Sequence, residues 1–303
     1  MQAGSELLCR SWVSANDDSV YHKSSMHVKV RKLDMQTLKP HRISLLLGRR
    51  GSGKSVLLRD MLANLKDRYD FALAMCPTLE SSQLLKQHMP TCCVYDRYMQ
   101  SKVDTLVKLA SEVAANGKER SFLLILDDVM YDKAICRTQS FRYLFYNGRH
   151  ARITVCLLLQ YLVDMPPDMR SQVDYVFTMK ENTIQNRLKL YKMFFGVFGT
   201  FDDFSAVLDR CTQNFETLML DNTLQTNGPT DCIFWYKAKL DNGSFHIGNP
   251  VFYRLEEAHK RTEALSVGLH FEDEAPVGRP GRGKPKLTVS KEEEDESEDE
   301  EVR

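Results

Sequence analysis

The sequence lacks the features that mark membrane-spanning, exported and zinc-binding proteins. It contains no run of about 18 apolar residues, and its first 23 residues lack a basic stretch followed by an apolar run, so neither a transmembrane helix nor a signal peptide is predicted. Its eight cysteines form no CxxC pair, its eight histidines show no ligand spacing, and no internal repeat is found. We therefore expect an intracellular protein whose reduced cysteines pack in the core.

An excess of one charge is also missing, because 41 basic residues balance 41 acidic residues. The balance is uneven along the chain: residues 291–303 hold nine acidic and two basic residues, which leaves 39 basic and 32 acidic residues on 1–290. A modestly basic body suits a polyanionic partner, although many proteins of this size carry a similar charge without one. Charge alone therefore assigns no partner.

Apolar strand-like runs alternate with segments of helical period in the middle of the chain. This alternation predicts one α/β domain with a mostly parallel central sheet covered by helices on both faces. The predicted strands are residues 43–47, 71–76, 92–95, 122–126, 153–159 and 175–179, and the predicted helices are residues 54–66, 80–88, 103–114, 133–146, 183–195 and 201–211. Residues 215–220 and 232–237 are predicted to form a closing hairpin around the turn 227–228.

The most specific motif is GRRGSGKS at residues 48–55, which satisfies GxxxxGK[ST] between a predicted strand and a predicted helix. Its glycines let the loop curl so that backbone N–H groups converge on phosphate oxygens at the positive end of the new helix. Lys54 then reaches the β- and γ-phosphates of ATP, and the Ser55 hydroxyl binds Mg²⁺. The predicted nucleotide-binding residues are Gly48, Arg49, Arg50, Gly51, Ser52, Gly53, Lys54 and Ser55.

Polar side chains end two later predicted strands. Asp127 and Asp128 follow one apolar run, and Gln160 follows the next. Asp127 fits the carboxylate that holds Mg²⁺ beside ATP, and Asp128 fits a general base that polarises the attacking water. Gln160 is suited to hydrogen-bond the γ-phosphate or that water without adding charge. The alternatives are a helix cap for the aspartate pair and a plain polar strand end for Gln160.

Two arginines are candidates for stabilising transition-state charge across a subunit boundary. Arg149 lies in the turn NGRH before the strand that ends in Gln160, and Arg170 follows the segment PPDM. A solvated basic turn, with Arg152 nearby, is the alternative for Arg149. The sequence leaves the choice between the two arginines open.

Taken together, GRRGSGKS, FLLILDD, NGRH, ITVCLLLQ and PPDMR resemble the genome-packaging ATPases of nucleocytoplasmic large DNA viruses, the poxvirus-type branch of the FtsK/HerA superfamily. The resemblance covers about residues 40–240. It implies a P-loop NTPase fold of the RecA/FtsK-like, additional-strand catalytic type, with an extra strand between the P-loop strand and the Asp127 strand. By position, Lys54 and Ser55 match the family's phosphate and Mg²⁺ residues, Asp127 its Mg²⁺ aspartate, Asp128 its catalytic carboxylate and Gln160 its sensor. Many FtsK/HerA relatives have glutamate at the position of Asp128, which leaves the base assignment open.

The resemblance also implies a function. It describes an ATP-hydrolysing, Mg²⁺-dependent motor that forms a homo-oligomeric ring and translocates double-stranded viral DNA into the capsid, with capsid proteins as further partners. Such a motor works in the virion or in the viral factory of the host cytoplasm. Two other classes stay open: a small-molecule kinase on a P-loop scaffold and an ATP-dependent assembly switch with little turnover.

We divide the chain into an N-terminal extension (1–39), a P-loop ATPase domain (40–255) and a C-terminal extension (256–303). Within the last, the Pro-, Gly- and base-rich residues 275–286 and the acidic run are predicted to be disordered. Residues 275–286 are either a flexible linker or a minor-groove hook, and the acidic run either solubilises an exposed end or contacts a basic partner. Candidates for DNA contact, or for a solvated helix face, are Lys180, Arg187, Lys189 and Lys192.

Overall fold

The computed structural model describes residues 29–129, 134–161, 165–226 and 228–266. The chain divides into two units, residues 1–258 and 259–303, and of the second unit only residues 259–266, the end of a helix, are described. Residues 275–286, the acidic run and position 227 of the predicted hairpin turn lie outside the described residues. Within the described part, no helix is both long and apolar enough to cross a bilayer.

Strands of the described residues form a single sheet. They are β1 (Arg31–Lys32), β2 (Ile43–Leu47), β3 (Phe71–Met75), β4 (Val94–Tyr95), β5 (Phe122–Asp127), β6 (Ile153–Leu159), β7 (Tyr175–Thr178), β8 (Glu216–Asp221) and β9 (Ile233–Lys237). Their order across the sheet is β1-β9-β8-β7-β2-β6-β5-β3-β4. All neighbouring strands run parallel except β8, which is antiparallel to β7 and to β9. The mostly parallel sheet and the β8–β9 hairpin pairing confirm the prediction.

Helices cover both faces of this sheet. The helices of the described residues are α1 (Lys54–Leu65), α2 (Leu79–Lys86), α3 (Gln100–Ala115), α4 (Gln139–Tyr146), α5 (Pro167–Arg170), α6 (Ile184–Met193), α7 (Phe201–Cys211), α8 (Pro229–Cys232) and α9 (Pro250–Ser266). Successive strand residues point to opposite faces, so Leu46 packs in the core that contains α1, while Leu45 and Leu47 pack in the core that contains α3, α4 and α7. Burial on both faces explains why the central strands read as continuous apolar runs.

The register of three central strands aligns their carboxyl ends. β6 lies between β2 and β5, which confirms the additional strand that the resemblance implied. Leu47 of β2 pairs with Leu159 of β6, and Asp127 of β5 pairs with Leu158. The residues that follow these three strands therefore meet at one edge of the sheet.

A buried carboxylate ties α1 to the strand β9. Asp60 is fully buried on α1 and accepts hydrogen bonds from the Tyr236 hydroxyl (2.6 Å) and the Lys239 backbone N–H (3.1 Å). The Asn64 side chain, one turn further along α1, donates to the same carboxylate (3.1 Å). A charged group without water needs such partners to be tolerated in a core. The contacts hold the helix that follows the P-loop against the sheet.

Several elements differ from the sequence expectation. α4 begins at Gln139 and not at 133, because residues 135–137 form a 3-10 turn and Thr138 is extended. Residues before position 40 also take part in the fold: β1 pairs with β9, and the side chains of Leu33, Met35 and Leu38 are buried. At the other end, α9 runs across the boundary set at 255. Six of the seven cysteines in the described residues are buried, as predicted, and Cys92 is exposed.

Candidate active site

The loop of residues 48–55 joins the end of β2 to the start of α1. The Gly48 N–H donates to the Leu159 carbonyl of β6 (3.2 Å), which fixes where the loop leaves the sheet. A Cβ at Gly48 would overlap the Ser52 hydroxyl and lie 3.0 Å from the Met179 Cβ, so a larger residue would displace both neighbours. Gly51 and Gly53 have φ of 75° and 98°, in the left-handed region that glycine enters without strain. The sequence motif thus forms the tight loop that phosphate binding requires.

Lys54 opens α1 and reaches back over the loop. Its ammonium donates to the Gly48 carbonyl (2.5 Å) and to the Arg49 carbonyl (3.0 Å). Burial lowers the pKa of Lys54, while the nearby Asp127 and Asp128 act in the opposite direction. The Ser52 hydroxyl is buried without a hydrogen-bond partner. Together with the unpaired N–H groups of the first turn of α1, these groups suit an anion lying on the loop.

The two carboxylates at the end of β5 differ in their surroundings. Asp127 is buried, with 6% of its surface exposed, and this burial raises the pKa of its carboxyl, although a Ser81 hydrogen bond and Lys54 partly counteract it. Asp128 has φ of 54°, and its N–H donates to the Leu158 carbonyl (2.9 Å). The Gln160 side-chain amide donates to the Asp128 carboxylate (2.5 Å). Gln160 is therefore held against Asp128.

These groups line one cavity of about 810 Å³. The structure brings together, around it, most of the residues that the sequence predicted for the site: Arg50, Gly51, Gly53, Lys54, Ser55, Asp127, Asp128 and Gln160. Arg49 points elsewhere, because its guanidinium donates to the Glu181 carboxylate (2.6 Å) and to the Thr183 hydroxyl. The arrangement places a cation, a hydroxyl, two carboxylates and a neutral amide around a space open to a ligand.

Arg149 and Arg170 do not reach this cavity. Each precedes a parallel strand, β6 or β7, and so lies at the amino edge of the sheet, whereas the P-loop follows a strand and lies at the carboxyl edge. Arg149 donates to Asp174 (2.9 Å), an ion pair in which 56% of the arginine side chain stays exposed. Within its own chain Arg149 therefore lies away from the cavity, and its predicted role across a subunit boundary stays a prediction.

One candidate for DNA contact is already engaged. Arg187 on α6 forms two hydrogen bonds with the Asp209 carboxylate (2.8 and 2.6 Å) and donates to the Glu181 carbonyl, so its side chain is only 14% exposed. Lys180, Lys189 and Lys192 are exposed. The basic surface of α6 is thus smaller than its sequence indicated.

Sequence reasoning missed part of the cavity wall. Thr78, Leu79, Glu80 and Ser81 follow β3, Asn214 and Phe215 precede β8, and Lys237, Ala238 and Leu240 end or follow β9. None belongs to a motif. What these segments share is their place at the carboxyl edge of the sheet. The sequence could predict that place only if the order of the strands were already known.

A family model matches more than half of the chain. The model described as "Poxvirus A32 protein" matches residues 28–199 of the 303. The matched segment includes the P-loop, the aspartate pair, Gln160 and both candidate arginines, and it ends before β8.

Curated relatives come from other large DNA viruses. Protein 088R of Invertebrate iridescent virus 3 is 29% identical over 229 residues, which are 71% of this chain and 87% of that protein. Protein 015R of Frog virus 3 is 30% identical over 223 residues, which are 70% of this chain and 69% of that protein. Among solved structures, the genome packaging NTPase B204 of Sulfolobus turreted icosahedral virus 2 in complex with sulfate aligns with 21% identity and a TM-score of 0.49, over 69% of this chain and all of that chain.

The raised pKa of Asp127 predicts a stability change with a defined sign. Because its carboxyl binds a proton more readily in the folded chain, the ionised form lowers stability at neutral pH, and this cost disappears as pH falls through the raised pKa toward the ordinary value of 3.8. The ligand-free Asp127→Asn variant should therefore be more stable than wild type near pH 7.

Urea unfolding from pH 7 down to pH 4 would measure this difference, which should shrink on acidification as the wild-type carboxyl becomes neutral. Asp67→Asn, at an exposed aspartate in the turn after α1, is the matched control and should show no such gap. A difference that stayed constant with pH would contradict the assigned cause.

Proposed function

Because this chain belongs to the poxvirus A32 protein family, we propose that it is an ATP-hydrolysing motor that moves double-stranded viral DNA into a capsid. The observation that carries the proposal is the single cavity in which Lys54, Asp127, Asp128 and Gln160 converge on the P-loop. Loops that curl around phosphate serve many P-loop proteins, so family membership is what selects DNA packaging among their functions.

In this proposal, the triphosphate of ATP lies on the loop of residues 48–55. The N–H groups at the start of α1 and the Lys54 ammonium bind its oxygens, and the unpartnered Ser52 hydroxyl gains an acceptor. Ser55 and Asp127 supply the hydroxyl and the carboxylate that Mg²⁺ prefers, and both line the same cavity. Mg²⁺, when bound with ATP, neutralises part of the phosphate charge.

Asp128 and Gln160 serve the hydrolytic step. The Asp128 carboxylate accepts a proton from a water molecule whose oxygen attacks the γ-phosphorus, and the bond to the bridging oxygen of ADP breaks. The hydrogen bond from Gln160 holds this carboxylate in place. Gln160 also follows β6, which pairs with the P-loop strand β2, so the amide is positioned to respond to the presence of the γ-phosphate.

The motor acts as a homo-oligomeric ring on DNA, with capsid proteins as further partners, in the virion or in the viral factory of the host cytoplasm. Family resemblance supports the ring. The exposed Lys180, Lys189 and Lys192 offer non-specific contacts to DNA phosphates. The three-part division of the chain, with extensions on either side of the ATPase domain, stays part of this proposal.

The proposal predicts hydrolysis that depends on Lys54 and responds to DNA. With Mg²⁺ and ATP the protein should release free phosphate, and long duplex DNA at low salt should accelerate the release. Lys54→Ala should slow it by roughly 100-fold or more, since a phosphate-binding cation is lost. Lys108→Ala, at an exposed lysine on α3, is the control and should behave as wild type.

A phosphate-release assay with and without DNA measures both effects. Hydrolysis that DNA leaves unchanged, with no DNA retained at low salt, would argue against a translocase. Transfer of phosphate to an added nucleoside or nucleotide would indicate the kinase alternative, and tight ATP binding with negligible turnover would indicate the assembly switch.

A second prediction separates chemistry from binding at Asp128. Asp128→Asn keeps the shape of the side chain but removes the proton acceptor, so kcat should fall by about 10²- to 10⁴-fold while the Kd for ATP changes little. Steady-state kinetics and calorimetry give the two numbers. An unchanged kcat, or a Kd that rises as much as kcat falls, would remove Asp128 from the role of base.

A third prediction concerns Arg149, which can act only on a neighbouring subunit's site because it lies at the opposite sheet edge of its own chain. Arg149→Ala alone and Lys54→Ala alone should each be inactive. Mixed rings should regain part of the hydrolysis, since an intact cavity then meets an intact arginine. Full activity of Arg149→Ala, or no recovery on mixing, would leave Arg149 as a surface ion pair with Asp174.

A further inference from the structure

Three strongly exposed apolar side chains line the nucleotide cavity. Among the described residues, the three most exposed large apolar side chains are Leu79 (71%), Phe215 (72%) and Leu240 (77%), and all three line this cavity. Single exposed apolar residues are ordinary on protein surfaces, but their convergence on one cavity marks a site for a ligand with an apolar face.

The strand order sorts this apolar surface into two ends. The P-loop follows β2, and the aspartates come from β5, two positions away on one side, with Leu79 beyond them after β3. Phe215 precedes β8 and Leu240 follows β9, which lie on the other side of β2. A nucleotide whose γ-phosphate faces the aspartates therefore extends its other end toward Phe215 and Leu240.

The backbone at Phe215 is held in a conformation that a phenylalanine rarely adopts. Asn214 and Phe215 have φ of 51° and 62°, two consecutive non-glycine residues in the left-handed region. A bulky side chain there is strained, and such strain is found at ligand sites more often than elsewhere. The Phe215 ring lies 3.7 Å from the position of a Cβ at Gly53, so it stands directly beside the P-loop. The strained turn thus holds an exposed aromatic ring next to the phosphate cradle.

We propose that Phe215 stacks against the adenine base of ATP, with Leu240 as an apolar wall beside it. This inference rests on the ATP binding proposed above and adds the residue that recognises the base. Besides these two, the lining of this end comprises Asn214, Lys237 and Ala238. Stacking of this kind is tolerant of base identity, because every base has a π-face.

The test compares a ligand that has a base with one that lacks it. Calorimetry of the full chain with ATP and with inorganic tripolyphosphate should show binding of both to wild type. Phe215→Gly should weaken ATP binding by roughly ten- to a hundred-fold and leave tripolyphosphate binding unchanged, since only the stacking partner is lost. Glycine also accepts the left-handed backbone, so this variant should not unfold more easily than wild type.

Two further variants keep the test decisive. Phe215→Trp should retain ATP binding, because it preserves a ring, and Phe215→Asn should lose it in the same way as glycine, since asparagine also tolerates this backbone. Leu109→Ala removes an exposed apolar side chain of α3 that does not line the cavity, and it should leave both ligands unaffected.

The outcomes separate the two proposals. Equal weakening of ATP and tripolyphosphate in Phe215→Gly, or no weakening of either, would overturn the stacking role while the phosphate site stands. Failure of wild type to bind either ligand would overturn the ATP site itself and this inference with it.

Discussion

The Gly48 N–H can bond to the Leu159 carbonyl only because β6 lies beside β2, and the same strand gives Leu158 as partner to the Asp128 N–H. One inserted strand thus anchors the phosphate loop on one side and the acidic pair on the other. Gln160 directly follows β6, and its side-chain amide donates a hydrogen bond to the Asp128 carboxylate. The distances within the site are therefore set by sheet hydrogen bonding, which varies little, and not by flexible loops.

Much of this arrangement follows from local sequence. The apolar runs Ile43–Leu47 and Ile153–Leu159 are strands because both faces are covered, and Gly51 and Gly53 of the motif at residues 48–55 adopt left-handed φ values that other residues rarely reach. β1 was not predicted because it is an outermost strand of two exposed basic residues, without the apolar residues by which buried strands are identified in a sequence. Phe215 was assigned to a strand on its composition, whereas its backbone turns into the left-handed region one residue before β8.

Partners that are distant in sequence explain what the local sequence could not show. The turn that holds Arg149 gave no sign that its guanidinium pairs with Asp174 at the amino edge of the sheet. Arg187 looked free on its helix until α7 placed Asp209 against it. In both cases the sequence shows the charge and not its counter-ion, which comes from a segment more than 20 residues away.

β8 is the strand that reverses direction within this sheet, and the reversal changes which loops meet the ligand. Its start and the end of β9 both open toward the phosphate loop, so two antiparallel neighbouring strands contribute two walls of the cavity. The family match stops before these strands, at residue 199. Lys54 and Asp127 are held by β2, β5 and α1, so changes in the loops next to β8 and β9 would reshape this end of the cavity without moving the strands that position them.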